Sequence, residues 1–377
     1  AAHNVAAETI SLLDYQEATS AYENAYVSGR LNVNSGNQGQ TSHDLSVDAS
    51  YDRVFQSPSR DVTLKGTVQG SSKRGSNKGD DTVENYLGNT AVGMNHYFQP
   101  NSNGAFWFTD ADLGVKKGAD DPRLAIGAGV GYGRVKNVTP MAQAIRLVEA
   151  LREKNLITAE LSKADYNQLA SIVARENEYR SKFGAVDYRQ NWIADMEKAL
   201  VASGKVSNSI GAAGILKSYD VLVNERISTR KYGWLVKAGL GAVLRDYNGE
   251  SGKPALNLTG EYHLPLSNRT QFSNEATAST VLESDGSYVL TNNISLNHEI
   301  SDRVDWLNSW KLNYNRDKST DKAVTSNALN STYRYYLSNK MAFDTVASLS
   351  KVDDGVANNG NDEIDKSLFM GVTYRLK

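Results

Sequence analysis

The chain has no cysteine, only 6 prolines among 377 residues, and no long apolar run. Without cysteine there can be no disulfide, thiolate metal site or thiol nucleophile, which suits an exported chain that must avoid stray oxidation. Nothing approaches the roughly 18 consecutive apolar residues that a membrane-spanning helix needs, so helical membrane proteins are excluded. Proline cannot donate to a strand ladder, and its scarcity leaves the chain free to be built of strands. Neither sign of charge is in excess: the formal net charge is -2, which gives no reason to expect nucleic acid or an anionic surface as partner. The histidines, His3, His43, His96, His263 and His298, lie far apart without metal-ligand spacing. Each reads as a solvated or interfacial residue, so neither metal nor cofactor is expected. No nucleophile motif accompanies them, so no catalytic residue and no enzyme activity are expected. The start, Ala1-Ala2-His3, reads as a mature end left by cleavage after a small residue.

What the chain does have is alternation. Val304, Trp306, Trp310, Leu312 and Tyr314, with Asn308 among them, face one way, while Asp305, Leu307, Ser309, Lys311, Asn313 and Asn315 face the other. The pattern recurs at 256–264, 288–297, 343–349 and 364–376. Mean hydropathy is -0.49, polar for a membrane protein, but strands alternating between lipid and lumen average out to such values. Twenty tyrosines fit interfaces with one apolar and one wet side. Short turns at 266–269, 301–303 and 337–340 alternate with longer polar links at 248–253, 283–287, 316–322 and 353–363. Tyr262, Tyr335 and Tyr336 precede turns, as an interfacial girdle would require.

The first third repeats the scheme more weakly, with strands near 25–34, 42–55, 60–71, 84–98, 104–116 and 122–136. Six strands here and eight after residue 230 make fourteen, an even number as closure requires. A soluble β-sandwich would have shorter strands and a dry second face. The expectation is therefore an all-β transmembrane antiparallel barrel of about fourteen strands, with an α-helical insertion between strands six and seven. Residues 1–20 read as an N-terminal periplasmic or plug segment, with a short helix over 5–18. Residues 21–138 carry strands one to six, 139–227 the periplasmic helical insertion, and 228–377 strands seven to fourteen.

The end of the chain, Gly371-Val372-Thr373-Tyr374-Arg375-Leu376, resembles the C-terminal β-signal of bacterial outer-membrane barrels: a glycine, then an aromatic and a hydrophobic residue two apart. Leu376 stands where the final aromatic is usual, Lys377 follows it, and Phe369 occupies the polar position before the glycine. The resemblance covers the last strand alone. It implies a porin-like barrel in the outer membrane of a Gram-negative cell, in contact with outer-membrane lipid.

Between 139 and 227 the period changes to that of helices. Thr139-Pro140 reads as an N-cap followed by proline at the first helical position, starting a helix through Ile145, Val148 and Leu151. Ser162 with Asp165 predicts a capped second helix running to Phe183-Gly184. A third is expected from Asp187 through Trp192, Met196 and Leu200 to Gly204, and a fourth over 210–224. Their apolar positions can serve internal packing or a partner, either a periplasmic protein or a component of an assembly.

Two residue sets could carry function. Alternation turns Asp44, Asp48, Asp52, Asp110, Asp112, Glu261 and Glu275 toward the lumen, with the bases Lys237, Arg245, Lys311 and Arg334. Counting all inward positions, acids outnumber bases, which would make an open lumen weakly cation-selective; cross-strand pairing of wall residues is the plainer alternative. The second set is a row of glycines: Gly127, Gly129, Gly131 and Gly133 on strand six, and Gly233, Gly239 and Gly241 on strand seven. Glycine is tolerated in a strand where a backbone or ligand approaches closely. The row is either a bed for the insertion or the segment 5–18, or relief of barrel curvature. The functional expectation is a channel or conduit that the helices gate or use to dock a partner. The alternatives are a plugged scaffold anchoring an outer-membrane or extracellular assembly, and an export barrel for a polysaccharide or protein fibre.

Overall fold

In hydrocarbon every backbone N–H and C=O needs a partner within the protein. This chain supplies one by closing its sheet. The computed structural model describes residues 9–16, 19–282, 286–317, 320–357, 359, 361 and 363–376. It contains β1 (Ser20–Asn34), β2 (Ser42–Gln56), β3 (Arg60–Arg74), β4 (Thr82–Tyr97), β5 (Ala105–Lys116), β6 (Arg123–Asn137), β7 (Lys231–Arg245), β8 (Ala255–Ser267), β9 (Thr270–Val281), β10 (Tyr288–Ser301), β11 (Val304–Asp317), β12 (Lys322–Tyr336), β13 (Met341–Asp353) and β14 (Asp365–Arg375). Consecutive strands are neighbours, and β1 pairs antiparallel with β14, Tyr26 opposite Arg375 and Gly29 opposite Val372, so the fourteen strands form a closed barrel. The expected fold class is the observed one, with the helices between β6 and β7.

Strand lengths run from 11 residues in β14 to 16 in β4. β1 begins five positions before the expected residue 25. Those residues, Ser-Ala-Tyr-Glu-Asn, show little contrast because the outer face carries Glu23, which accepts a hydrogen bond from the Tyr51 hydroxyl at 2.7 Å. The turns at 57–59, 268–269, 302–303 and 337–340 and the 98–104 link share one end of the barrel with the start of β1, the end of β14 and the β6–β7 connection; the other links, among them 246–254 and 354–364, occupy the opposite end.

By internal contact the chain divides into two compact units: Ala1–Ala21, Val135–Gly233 and His263–Phe272 make the first, and Tyr22–Arg134, Trp234–Tyr262 and Ser273–Lys377 the second. The first holds α1 (Thr139–Glu153), α2 (Lys163–Ala174), α3 (Glu176–Ala202) and α4 (Gly211–Tyr219), which continues as one π-helical turn over Asp220–Asn224. Ser162 caps α2 as expected, accepting from the Asp165 N–H while Asp165 accepts from the Ser162 N–H. The start of α1 differs from expectation. Val138 is the N-cap residue, and the Thr139 hydroxyl turns back to Asn137 Oδ1 at 2.5 Å instead of capping. α2 ends at Ala174 rather than near 184, and α3 runs through the kink at Gly184, whose φ is 81°. Gly184 thus marks a bend, because glycine alone adopts that backbone without steric cost.

Ile145, Val148, Leu151, Leu169, Ile172, Val173, Trp192, Met196 and Leu200 are all buried in one hydrophobic core. Leu12 and Tyr15 join it. Of the helix expected over 5–18, residues 5–8 and 17–18 lie outside the described residues, and only a 3-10 turn, Leu12–Asp14, is present. That segment is pinned to α2: Asn167 Nδ2 donates to the Asp14 carbonyl at 3.0 Å, and Lys163 pairs with the Asp14 carboxylate at 3.0 Å. Leu12 and Tyr15 are therefore committed to the helical core, while Leu13 stays exposed. Burial, with the Glu160 carboxylate adding to it, pushes the Tyr166 hydroxyl up to about 12. His263, read as a solvated or interfacial residue, is buried, at 1% exposure.

Candidate functional site in the barrel lumen

Contacts that skip a strand identify the lumen side of the wall. Arg134 on β6 reaches Asp61 on β3 at 2.6 Å; the Tyr97 hydroxyl on β4 donates to the Gly133 carbonyl on β6; and Lys237 Nζ on β7 lies 5.1 Å above the Phe108 ring on β5. Only the interior connects these positions. Alternation then turns Asp44, Asp48, Asp52, Lys65, Asp110, Asp112, Lys237, Glu261, Glu275, Lys311 and Arg334 inward. Arg134 escapes the alternation because Gly133, at φ 98°, interrupts the strand and brings Arg134 to the same side. Tyr336, expected in the outer girdle, also points inward and donates to Asp305 at 2.7 Å.

Along the inward face, exposure changes steadily. On β2, Asp48 and Ser50 are exposed while Val54 and Gln56 are buried; on β4, Asn85, Leu87 and Asn89 are exposed while Tyr97 is buried; on β11, Lys311 and Asn313 are exposed while Asp305 is buried. The lumen is therefore wet toward the long links and tightly filled toward the tight turns. At the filled end the charges are matched. Arg134, with its side chain 1% exposed, also donates to the Ser57 and Pro58 carbonyls of the β2–β3 turn. Arg334 grips Asp344 with two bonds of 2.7 and 2.8 Å, and the Thr373 hydroxyl adds a third at 2.6 Å. Such charge-assisted, desolvated pairs are strong when complete and costly when broken.

Several of the other charges pair across the wall: Asp44 with Arg30 and Lys73, Asp112 with Arg123, and Arg245 with Asp121 in the β5–β6 link. Asp52 accepts from the Tyr22 hydroxyl at 3.2 Å. A different group borders a cavity of about 430 Å³ between β3, β4, β5, β7, β8 and β9. Lys65, Asp110, Lys237 and Glu261 line it, with amides from Asn95 and Asn257 and hydroxyls from Thr63, Thr259 and Thr277. Lys65 and Asp110 form no ion pair among the described residues. Asp48 and Lys311 stand apart from this cavity, nearer the open end.

At the glycine row, the space a side chain would need is taken by the wall itself. A Cβ on Gly129 would meet the Ala238 carbonyl oxygen, Gly239 Cα at 2.5 Å and Phe108 Cε1 at 2.8 Å. On Gly131 it would meet the Phe106 ring, and on Gly239 the Ala128 carbonyl and the Phe108 ring. In the β5–β6 register Phe106 lies opposite Gly131, Phe108 opposite Gly129 and Asp110 opposite Gly127. At these glycines the β6 and β7 backbones approach so closely that a Cβ would collide, and the rings of Phe106 (0% exposed) and Phe108 (6%) fill this crease. The glycines on β6 and β7 thus give way to backbone and to the rings of Phe106 and Phe108, an aromatic filling that alternation alone does not predict. Phe106-Trp107-Phe108, two rings spaced to match Gly-x-Gly, was its signal in the sequence.

The opposite face carries large apolar residues in solvent-exposed positions, among them Val68, Val130, Trp234, Leu240, Leu258 and Leu368. A band of this kind around a closed, even-numbered barrel is stable only in lipid. The chain is a transmembrane β-barrel of the bacterial outer membrane. A family profile described as "Protein of unknown function, DUF481" matches residues 225–336. Comparison with curated proteins finds no match. Among solved structures, Omp33 from Acinetobacter baumannii is 8% identical with a TM-score of 0.31, covering 96% of this barrel's chain and 100% of its own. CdiB from Escherichia coli is 8% identical with a TM-score of 0.40, covering 94% and 63%. The translocator domain of the autotransporter NalP from Neisseria meningitidis is 9% identical with a TM-score of 0.29, covering 97% and 91%. Nothing of their activities transfers to this barrel at such identities.

Proposed function

We propose that this barrel is an outer-membrane channel for small polar solutes, entered from the long-link end and narrowing at the cavity beside the crease. The observation that carries the reading is the inward gradient: polar and charged side chains stay exposed along the outer part of the lumen and converge on Lys65, Asp110, Lys237 and Glu261. Charges of both signs around one narrow passage orient dipolar solutes and set ion preference. The excess of inward acids makes the pore weakly cation-selective. The helical unit, joined through the tight-turn end, lies on the periplasmic side in this reading and docks a periplasmic protein or gates the passage. No catalytic step and no cofactor enter this account.

One observation favours a second reading, a plugged scaffold: the inward side chains at the tight-turn end, Val54, Tyr97, Phe106 and Asp305, are buried. Planar-bilayer recording separates the two. A channel conducts, and Lys237→Glu raises its cation preference while Asp110→Lys lowers it. Silence at all voltages would refute the channel and leave the scaffold.

A further inference from the structure

On the outward face, β9 to β12 differ from the rest of the wall. Asn274, Asn292, Asn308 and Asn327 all point outward from mid-strand, one on each strand. Among the described residues no other strand has an asparagine or glutamine at a mid-strand outward position. The register sets three of them in neighbouring cross-strand rows: Asn292 opposite Leu312 opposite Asn327, then Ile294–Trp310–Leu329, then Leu296–Asn308–Ser331. Hydrogen bonds knit the rows together. Trp306 Nε1 donates to Ser331 Oγ at 2.9 Å, Ser331 Oγ to Asn308 Oδ1 at 2.8 Å, and Trp310 Nε1 to Asn327 Oδ1 at 3.2 Å.

Depth makes this arrangement anomalous. Trp310 is the seventh residue of the 14-residue β11. With a rise of about 3.3 Å per residue and a tilt of about 40°, it and Asn327 lie near the middle of an apolar band about 25 Å tall. Tryptophan of a lipid-facing wall belongs at the two interfaces, and a carboxamide in hydrocarbon is costly unless its donors and acceptors are matched. The Asn327 amide nitrogen has no acceptor within this wall, and the Asn274 side chain has no hydrogen bond there among the described residues. Lipid supplies neither partner.

We propose that the outward face of β9–β12 packs against the same face of a second copy, making a two-fold dimer within the membrane. Two copies inserted in the same sense bring identical residues to identical heights about a two-fold axis along the membrane normal, as an isologous contact requires. A carboxamide is both donor and acceptor, so it is its own complement. No other class of neighbour is guaranteed to place an amide at that depth. Around the amides stand half-exposed Trp306, Trp310, Leu296, Leu329 and Tyr333, the aromatic and aliphatic anchors that dominate such interfaces, and polar side chains between membrane-embedded elements act as glue. The inference does not depend on whether the lumen conducts.

The lack of native cysteine provides the test. In outer membranes treated with a copper oxidant, Asn327→Cys should shift on electrophoresis to twice the monomer's mass, while Val68→Cys, outward on β3, should not shift. The Asn308→Leu/Asn327→Leu double variant should fold as well as the parent and lose the dimer in native mass spectrometry from mild detergent. Persistence of the dimer in that variant, equal cross-linking of Val68→Cys, cross-linking to a product of another mass, or a monomeric parent with no cross-link at position 327 or 308 would each overturn the proposal.

Discussion

Gly129→Ala is the most direct probe of the crease. The added Cβ would meet the Ala238 carbonyl, Gly239 Cα at 2.5 Å and Phe108 Cε1 at 2.8 Å. Carbon atoms rest about 3.5–4.0 Å apart, so the methyl intrudes by roughly 1 Å on two backbone segments and a buried ring. The ring can rotate, but the β7 backbone is held in the sheet. Overpacking of this kind costs about 1–3 kcal/mol, and with backbone as the obstacle the upper half of that range applies. Gly260→Ala on β8 is the control, because a Cβ there meets nothing within 4 Å. Replacing a compatible glycine stabilises by about 0.4–1 kcal/mol through the unfolded chain. The two alanine variants should therefore differ by about 2–4 kcal/mol, read as urea unfolding midpoints in lipid vesicles by tryptophan fluorescence. A displaced Phe108 ring swings toward the cavity, so the conductance of Gly129→Ala should fall as well. Equal midpoints for Gly129→Ala and Gly260→Ala would refute the account of the crease.

Two further outcomes follow from the barrel's interior and exterior. Arg134→Ala strands the Asp61 carboxylate, whose side chain is 8% exposed, and breaking a buried pair in this way should cost about 3–5 kcal/mol; the same unfolding assay checks it, with milder loss expected for Asp61→Asn/Arg134→Gln together. Val68→Arg places a cation on the lipid face and should cost about 2–4 kcal/mol near the midplane, whereas Gln69→Arg, one residue on and facing the lumen, should be mild; equal losses in refolding yield and midpoint would argue against the assigned faces.

How much of this was legible depended on contrast. β11 could be read at once because Trp306, Trp310 and Leu312 alternate with Ser309, Lys311 and Asn313. The start of β1 could not, since Tyr22 and Asn24 face the lumen while Glu23 faces out, and polarity no longer separates the sides. The Ser162–Asp165 capping box announced α2, because a cap is a local event between residues three apart. Thr139 misled for the opposite reason: its hydroxyl found Asn137 and the backbone of Arg230, a partner ninety-one positions away that no local rule sees. In the lumen, alternation turned Asp110 and Lys237 to one side but could not show that they line one cavity, which depends on strands that skip neighbours. Arg134 was missed because one positive-φ glycine shifted the parity of the strand. The glycine row was visible in the sequence, but its occupants required the β5–β6 register.

That row also lies where chain connectivity is weakest. β8 and β9 are joined by a two-residue turn, which places each strand beside the next almost without entropic cost. β6 and β7 are separated by residues 138–230. Each doubling of a loop costs about 0.6 kcal/mol, so a connection of roughly 90 residues loses about 3 kcal/mol relative to a tight turn and does little to fix register. The strands must then supply register themselves, and an ordinary ladder with one greasy face slips at little penalty unless something breaks its translational symmetry. Asp110 and Gly133, at the two ends of the ring pair, break it. A shift of β6 by two residues keeps glycines opposite both rings, but one direction sets Ala125, with its Cβ, opposite Asp110, and the other sets Gly133, at φ 98°, opposite Phe106. A two-residue shift of β7 against β6 in one direction would set Lys237 where Gly239 now lets the Ala128 carbonyl approach. The interlock of two rings, four glycines and one carboxylate does at this junction what a hairpin turn does elsewhere in the barrel. This is why the glycines cluster on the two strands that the helical insertion separates.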